Sequence, residues 1–446
     1  MNFFHQKFTR SLLLTSLFMS AVFMLMAQET KDSVHINLSK AIEIGLSESP
    51  SIRIANRDIE IKQQYKKEQI VSLFPDVSLS GSYQYTILKQ SMAMSMGGQD
   101  MTIKVGKDHN YSAGASLSLP LIVPSLWSSL KLSKMDIELA MENARSSKLE
   151  LVNQIKQAYY TYLVAQQAYD VLQQSYANSQ ASNDLVNKQY QQGLVSSFEK
   201  LRSDVALQNL RPDVTSAAKA ANLAYMRLKI ILGLDINEAV AFDGRLDDYE
   251  NEVLNASIPT LADISLDENS SLKQLDMGIQ QLQQSKKIIK GSSCPSLALS
   301  GSLMYSGMGD TGGSFNNFPY SVIGLGLSVP IVSWAGTSYK LKQADLNIEN
   351  MHDQRVDIER NLRLGAQSYL NDMQQAIENL ASDKETMLQA EEAYNIAKKQ
   401  YEVGMNTWLD LNTAELMVTS TRLTYCQSLF NYLTAKAALD ALTGKQ

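Results

Sequence analysis

The sequence predicts a mainly α chain with a smaller β part able to cross a membrane: two long coiled-coil hairpins and four strands per chain. Three observations lead there. Apolar and small residues recur at alternating steps of four and three from Leu151 through Ile155, Ala158, Tyr162, Ala165 and Tyr169 to Tyr190, and a 3.5-residue repeat held this long specifies helices that supercoil around neighbours. The same pattern returns from Leu362 through Ala366, Tyr369, Met373 and Ala376 to Tyr401. Each half also carries two stretches in which apolar residues alternate with small polar ones, the period of a strand with one apolar and one polar face.

Length and composition narrow the class. The 446 residues exceed one ordinary core, and only 19% are charged, below the usual quarter. A net charge of -6 leaves no electrostatic footprint for nucleic acid. The four histidines, His5, His35, His109 and His352, are scattered, and no phosphate loop, nucleophile motif or metal-ligand spacing occurs. Neither catalysis nor a cofactor is expected.

Residues 1–27 have the layout of a secretory signal peptide: Lys7 and Arg10, an apolar run from Leu12 to Met26, then Ala27. An uncleaved anchor is the alternative, but the run is short for a span of about 20 residues. Within 28–74 the pattern is helical from Leu38 to Phe74, with Ser39 as a candidate cap and Pro50 dividing a short piece from a longer one. The segment 75–123 holds the first strand pair: Val77, Leu79, Gly81, Tyr83, Tyr85 and Ile87 alternate with Ser78, Ser80, Ser82, Gln84 and Thr86, and Tyr111, Ala113, Ala115, Leu117 and Leu119 repeat the pattern. Between them Met92, Met94, Met96 and Met101 sit in what reads as a surface loop, where thioethers could alternatively hold a soft metal such as Cu(I).

The segment 124–233 is the first helical hairpin. Gly193, after Tyr190, interrupts the long helix and marks a reversal, and Pro212 interrupts the return helix, which stops at Gly233. Next, 234–290 opens with an acidic, irregular linker, read as solvated surface without chemistry, and closes with a short helix from Ser271 to Lys290. The segment 291–333 repeats the strand pair, Pro295 standing where Pro75 stood, and 334–446 repeats the hairpin with Gly404 at its tip and Gly444 at its end. This internal duplication organises the whole chain. Cys294 and Cys426, the only cysteines, fall at different heights along the rods and are expected as free thiols.

Strands of about ten residues can cross a bilayer when tilted, and Tyr83, Tyr85, Tyr111, Tyr305 and Tyr320 gather at matching strand ends like an interfacial girdle. A soluble β-sandwich is the alternative. Four strands cannot close a barrel, and an open edge in lipid leaves backbone groups unpaired at several kcal/mol each. Three copies would supply twelve strands and twelve long helices around one axis, a barrel continuous with a helical tube.

The order of features resembles the TolC family of outer-membrane efflux proteins across nearly all of the mature chain. The resemblance is carried by Gly45-Leu46-Ser47-Glu48-Ser49-Pro50, by Phe74-Pro75, by Val329-Pro330-Ile331 with Trp334-Ala335-Gly336, and by the two tips Tyr190-Gln191-Gln192-Gly193-Leu194 and Tyr401-Glu402-Val403-Gly404-Met405. It implies a homotrimer with a twelve-stranded β-barrel in outer-membrane lipid and a periplasmic α-barrel. It further implies a role as exit duct of a tripartite pump for small toxic compounds, working with a periplasmic adaptor and an inner-membrane transporter. Type I protein secretion and metal-ion efflux are alternative cargoes. A periplasmic coiled-coil adaptor is the rival class, against which the duplication and the two strand pairs speak. Adaptor contact is implied for Tyr190, Gly193, Leu194, Tyr401, Val403, Gly404 and Met405. Glu199 and Asp410, each six residues past a tip glycine, would form an acidic pore ring favouring cations, or else are helix-start residues favoured by the dipole. Asn406 replaces the arginine some relatives have there, so no tip-closing ion pair from that position is implied.

Overall fold

The computed structural model describes residues 34–96, 99–331 and 334–445. The expected signal peptide over 1–27 lies outside the described residues. Two compact units emerge, each built from three stretches of chain: one from the residues up to Ser49, Leu151–Ile258 and Asp372–Ala437, the other from Pro50–Glu150, Pro259–Asn371 and the residues from Ala438 on. No helix among the described residues is long and apolar enough to cross a membrane.

In the first unit, strand β1 (Val34–Ile36) leads into helix α1 (Leu38–Glu48). The cap is Asn37 rather than Ser39: Asn37 is extended and its Oδ1 accepts the Lys40 N–H at 2.9 Å, whereas Ser39 already lies within the first turn. Helix α1 packs closely because Gly45 has no side chain; a Cβ there would meet Ile155 Cδ1 at 2.3 Å. The end of α3 (Pro124–Gln191) and the whole of α4 (Ser197–Leu232) form the first hairpin in this unit. Helix α4 continues through Pro212 and stops at Gly233, whose φ of 79° only glycine adopts readily.

The acidic stretch after Gly233 is not a solvated linker. Strand β6 (Val240–Phe242) pairs in parallel with β1, and a 3₁₀ turn (Leu246–Tyr249) and helix α5 (Glu250–Leu254) follow. Its acids are spent on partners far along the chain: Asp243 on His35 at 2.7 Å, Asp247 on Gln167 Nε2 at 2.7 Å, Glu252 on Lys436 at 2.5 Å. Glu250 accepts from both Lys384 and the Tyr425 hydroxyl. Buried Lys229 donates to the carbonyls of Ile236 and Glu238 and so fixes the turn between. These contacts fasten the segment as a belt on the helices.

The second unit holds α2 (Pro50–Val71), α6 (Ser270–Gly291, capped by Asn269) and an antiparallel sheet. The sheet runs β2 (Asp76–Tyr85), β5 (His109–Ile122), β7 (Ser296–Gly309), β8 (Asn316–Ser328), so the two strand pairs are joined through β5 and β7. Register places Leu79, Ala115 and Leu303 side by side on one face, and Ser82, Ser112 and Ser306 on the other. Hydroxyls pair across the polar face, Ser78 with Ser116 at 2.7 Å and Ser82 with Ser112 at 2.8 Å. The apolar face is uncovered, with Leu79 85% and Ile323 82% exposed. Tyr83, Tyr85, Tyr111 and Tyr305 gather around His109 and Phe315 at one end of that face. Tyr320 departs from the group, since opposite Met304 it falls on the serine face.

The methionine-bearing segment is a hairpin and not a loop: β3 (Gln90–Met96) pairs with β4 (Gln99–Val105), Met94 opposite Met101. Alternation of Met92 and Met94 with Ser91 and Ala93 is itself a strand pattern. Lys89 and Lys107 converge on Asp310 at 2.7 and 2.5 Å and tie the hairpin's root to the turn between β7 and β8. The second hairpin is α7 (Trp334–Glu402) and α8 (Trp408–Thr443), ending at Gly444 with φ 77°. Both cysteines are free, Cys294 exposed and Cys426 buried.

Candidate functional site

Both expected reversals occur, and they are built alike. At the first, Gly193 adopts φ 74°, its N–H donating to Tyr190 O at 2.9 Å while Leu194 N–H reaches Gln189 O at 2.9 Å. At the second, Gly404 adopts φ 75°, with Gly404 N–H to Tyr401 O at 3.1 Å and Met405 N–H to Gln400 O at 2.8 Å. This pair of bonds around a left-handed glycine ends a helix by satisfying its last carbonyls. A Cβ on either glycine would meet nothing within 4 Å, so only backbone conformation demands glycine there.

The return helices restart on side-chain caps. Ser196 Oγ accepts the Glu199 N–H at 3.2 Å. Thr407 and Asp410 cap each other: Thr407 Oγ1 accepts the Asp410 N–H at 3.2 Å and donates to Asp410 Oδ2 at 2.5 Å, and Thr407 N–H also reaches Oδ2. Asp410 is thus engaged in starting its helix, while Glu199 stands in the first turn of its own.

An apolar cluster joins the tips. Val186, Ala397, Tyr401, Trp408 and Leu411 are buried together, with Leu185, Val195 and Ala206 packed against them. The Arg202 guanidinium lies 5.8 Å from the Trp408 ring centre, and Tyr401 donates to Gln189 Oε1 at 2.9 Å. Burial, and secondarily the Glu199 charge, push the Tyr401 hydroxyl up to about 12. Beside the cluster, Asn183 Nδ2 donates to Ser203 Oγ at 2.7 Å and Asp204 Oδ1 at 2.8 Å.

The residues singled out at the tips therefore divide in two. Leu194, 69% exposed, and Met405, 82% exposed, present apolar side chains to the surroundings, as do Tyr190 and Val403. Tyr401, 4% exposed, is interior and braces the tip. Sequence reasoning passed over the stripe that continues from Leu194 in the turn through Phe198, Leu201 and Val205 on α4, all four exposed. Its four-three-four spacing is the same coiled-coil signal that marked the buried seams.

Comparison with known proteins places this architecture. The chain is 22% identical over 435 residues to the alkaline protease secretion protein AprF of Pseudomonas aeruginosa, covering 97% of this chain and 88% of that one. Its fold matches the CmeC outer membrane channel of Campylobacter jejuni at 16% identity and TM-score 0.72, over 91% of this chain and 85% of CmeC. The open-state MtrE outer membrane channel of Neisseria gonorrhoeae matches at 17% identity and TM-score 0.70, over 92% and 89%. The family model for outer membrane efflux proteins matches residues 41–234 and 261–445, one match for each repeat. The chain belongs to the outer membrane efflux protein family.

Proposed function

We propose that three copies of this outer membrane efflux protein close into one conduit. The segments 75–123 and 291–333 would supply a twelve-stranded barrel in lipid, and 124–233 and 334–446 a helical tube through the periplasm. The observation that carries the reading is the sheet: one face is apolar and uncovered, the other carries its serines, with Gly114, Gly324 and Gly326 and with Met304, Phe318, Tyr320 and Val322 among them, and β2 and β8 stand at its margins. Lipid outside and water inside satisfy both faces, and closure with neighbouring copies satisfies both margins.

The tips serve as the docking end. Tyr190, Leu194, Val403 and Met405 offer apolar contact to a periplasmic adaptor, Gly193 and Gly404 set the turns that present them, and Tyr401 holds the two turns together from inside. The inner-membrane transporter supplies energy and selects cargo, for which the duct is passive. Small toxic compounds are the cargo this reading favours. Glu199 and Asp410 would give six carboxyl groups near the tip of the trimer, a ring that favours cations, with Asp410 serving its helix cap at the same time.

A second cargo, a secreted polypeptide, is supported by the relative named for alkaline protease secretion. Crosslinking in cells followed by identification of co-purifying proteins separates the two. A proton-driven drug transporter with its adaptor supports small-molecule efflux, an ATP-hydrolysing exporter supports secretion, and the absence of any adaptor at the tips contradicts both.

A further inference from the structure

Strand β2 runs from α2 into the hairpin β3–β4 and β5 returns from it to α3, so the hairpin extends from the end of the sheet opposite those helices. Its root is anchored, Lys89 and Lys107 both reaching Asp310. Side chains alternate between the two faces of a strand, and the register fixes which of them share a face. Met92, Met94 and Met96 fall on one face together with Met101, Ile103 and Val105. Ser91, Ala93, Thr102 and Lys104 fall on the other.

Met94 stands directly opposite Met101, a pairing that brings Cβ atoms to about 5 Å, and Met92 and Met96 are the diagonal neighbours of Met101 at about 7–8 Å. Both separations are within reach of long side chains. A hairpin thus gathers four thioethers that a loop would scatter. The face is open, with Met92 and Met94 each 55% exposed. Apolarity alone does not explain the residue type: the uncovered apolar face of the four-stranded sheet is made with Leu79, Ala115, Leu303 and Ile323, and among its described residues carries no methionine. What methionine adds over leucine, at similar size, is a polarizable sulfur able to donate a lone pair.

We propose that Met92, Met94 and Met101, with Met96 as a fourth donor, bind a soft monovalent metal ion, Cu(I) or Ag(I), on the open face of the hairpin. Thioethers are soft, neutral donors that select Cu(I) over hard divalent ions. Among the described residues no group of His, Cys, Asp or Glu could hold a metal ion, so no harder ligand set offers a rival centre. His109, at the start of β5, is taken up by the Tyr83 hydroxyl at 2.7 Å and Thr311 Oγ1 at 3.2 Å. A thioether has no proton to lose, whereas thiolate, imidazole and carboxylate ligands must be deprotonated before they bind. Binding here is therefore independent of pH across the range in which imidazole titrates. In the duct proposed above the hairpin faces the cell exterior, but binding requires only the folded hairpin, so its failure would leave closure of the trimer untouched.

Titration with Ag(I), which shares the charge and softness of Cu(I) without its redox chemistry, tests the site. The full-length protein, in chloride-free detergent solution, carries isotope-labelled methionine methyl groups and Cys294→Ser, because that exposed thiol would bind the ion itself. The methyl resonances of Met92, Met94, Met96 and Met101 are expected to shift together and to saturate at one ion per chain. The response should be the same at about pH 5 and about pH 8, between which histidine titrates, and Zn(II) should produce none. Met94→Leu combined with Met101→Leu keeps an apolar face of similar volume and is expected to abolish saturation at the remaining Met92 and Met96. Unmoved methyl signals in the parent protein, equal shifts with Zn(II), loss of binding at the lower pH, or undiminished saturation in the double variant would overturn the proposal. The parent protein is decisive by itself should the double variant lose the hairpin.

Discussion

The hydroxyl of Tyr401 donates to Oε1 of Gln189 at 2.9 Å, binding the last turn before the second tip to the last turn before the first. Around that bond Val186, Ala397, Trp408 and Leu411 are packed out of solvent, so the two hairpin ends are fastened to each other. Tyr401→Phe keeps the ring and loses the bond, and should lower the stability of this region by about 1 kcal/mol. Tyr401→Ala leaves a cavity and should cost about 3–5 kcal/mol. Proteolysis at the tips, measured across wild type, Phe and Ala, is expected to rise in that order.

The tip glycines should answer to backbone conformation alone. At Gly193 and Gly404 a side chain has room but φ is positive, so Ala is expected to cost about 1–2 kcal/mol and Asn distinctly less. Gly45 is the opposite case: its φ is ordinary, and Gly45→Ala must push Ile155 aside. Thermal unfolding of the Ala and Asn variants at Gly404 checks the ranking, and equal loss for both would show that the turn is not left-handed.

The tips were legible in the sequence because a lone glycine in a long heptad pattern has few other uses, and the duplication doubled the signal. Four strands were legible from strict alternation. The pairing of Val34–Ile36 with Val240–Phe242 was not, since three-residue strands joined across such a separation leave no periodic trace. Acidic residues disguised the belt as solvated chain: Asp247 and Glu250 have partners on helices distant in sequence and Asp243 has His35 on β1, and no local pattern encodes that. At the tips, the exposed Phe198 and Leu201 carry the same spacing as buried seam residues, so spacing alone could not say which stripe meets its own chain.

Glu250 predicts an acid limit for the belt. The Lys384 hydrogen bond holds its carboxyl below the usual range despite partial burial, with Tyr425 adding to the effect. A depressed pKa in the folded state contributes stability that is present above the unfolded value and lost as pH falls through the folded one. The belt should therefore loosen below the ordinary carboxylate range, and Glu250→Gln should weaken it already at neutral pH. Hydrogen exchange over residues 240–254 reads both effects.

Glu415 predicts the reverse slope. Burial raises its carboxyl to about 7, so the folded state binds a proton that the unfolded state has released by then. Its contribution favours folding at low pH and declines as pH rises from about 4.3 to about 7. Glu415→Gln should flatten stability across that window and gain on wild type at alkaline pH. Denaturation midpoints at several pH values test this, and identical slopes in the two proteins would exclude a buried, raised carboxyl.

The exposed stripe Leu194, Phe198, Leu201 and Val205 should be covered in the working assembly. Phe198→Ser is expected to leave the single chain's fold intact, since nothing in the chain buries Phe198, while reducing adaptor capture or assembly in pull-down from cells.

The account rests on assembly closing the sheet. Native mass spectrometry of the protein extracted from outer membranes tests this most directly. Three protomers of up to 49.5 kDa each in one particle that requires detergent is the predicted result. A monomer that stays in solution without detergent would contradict it.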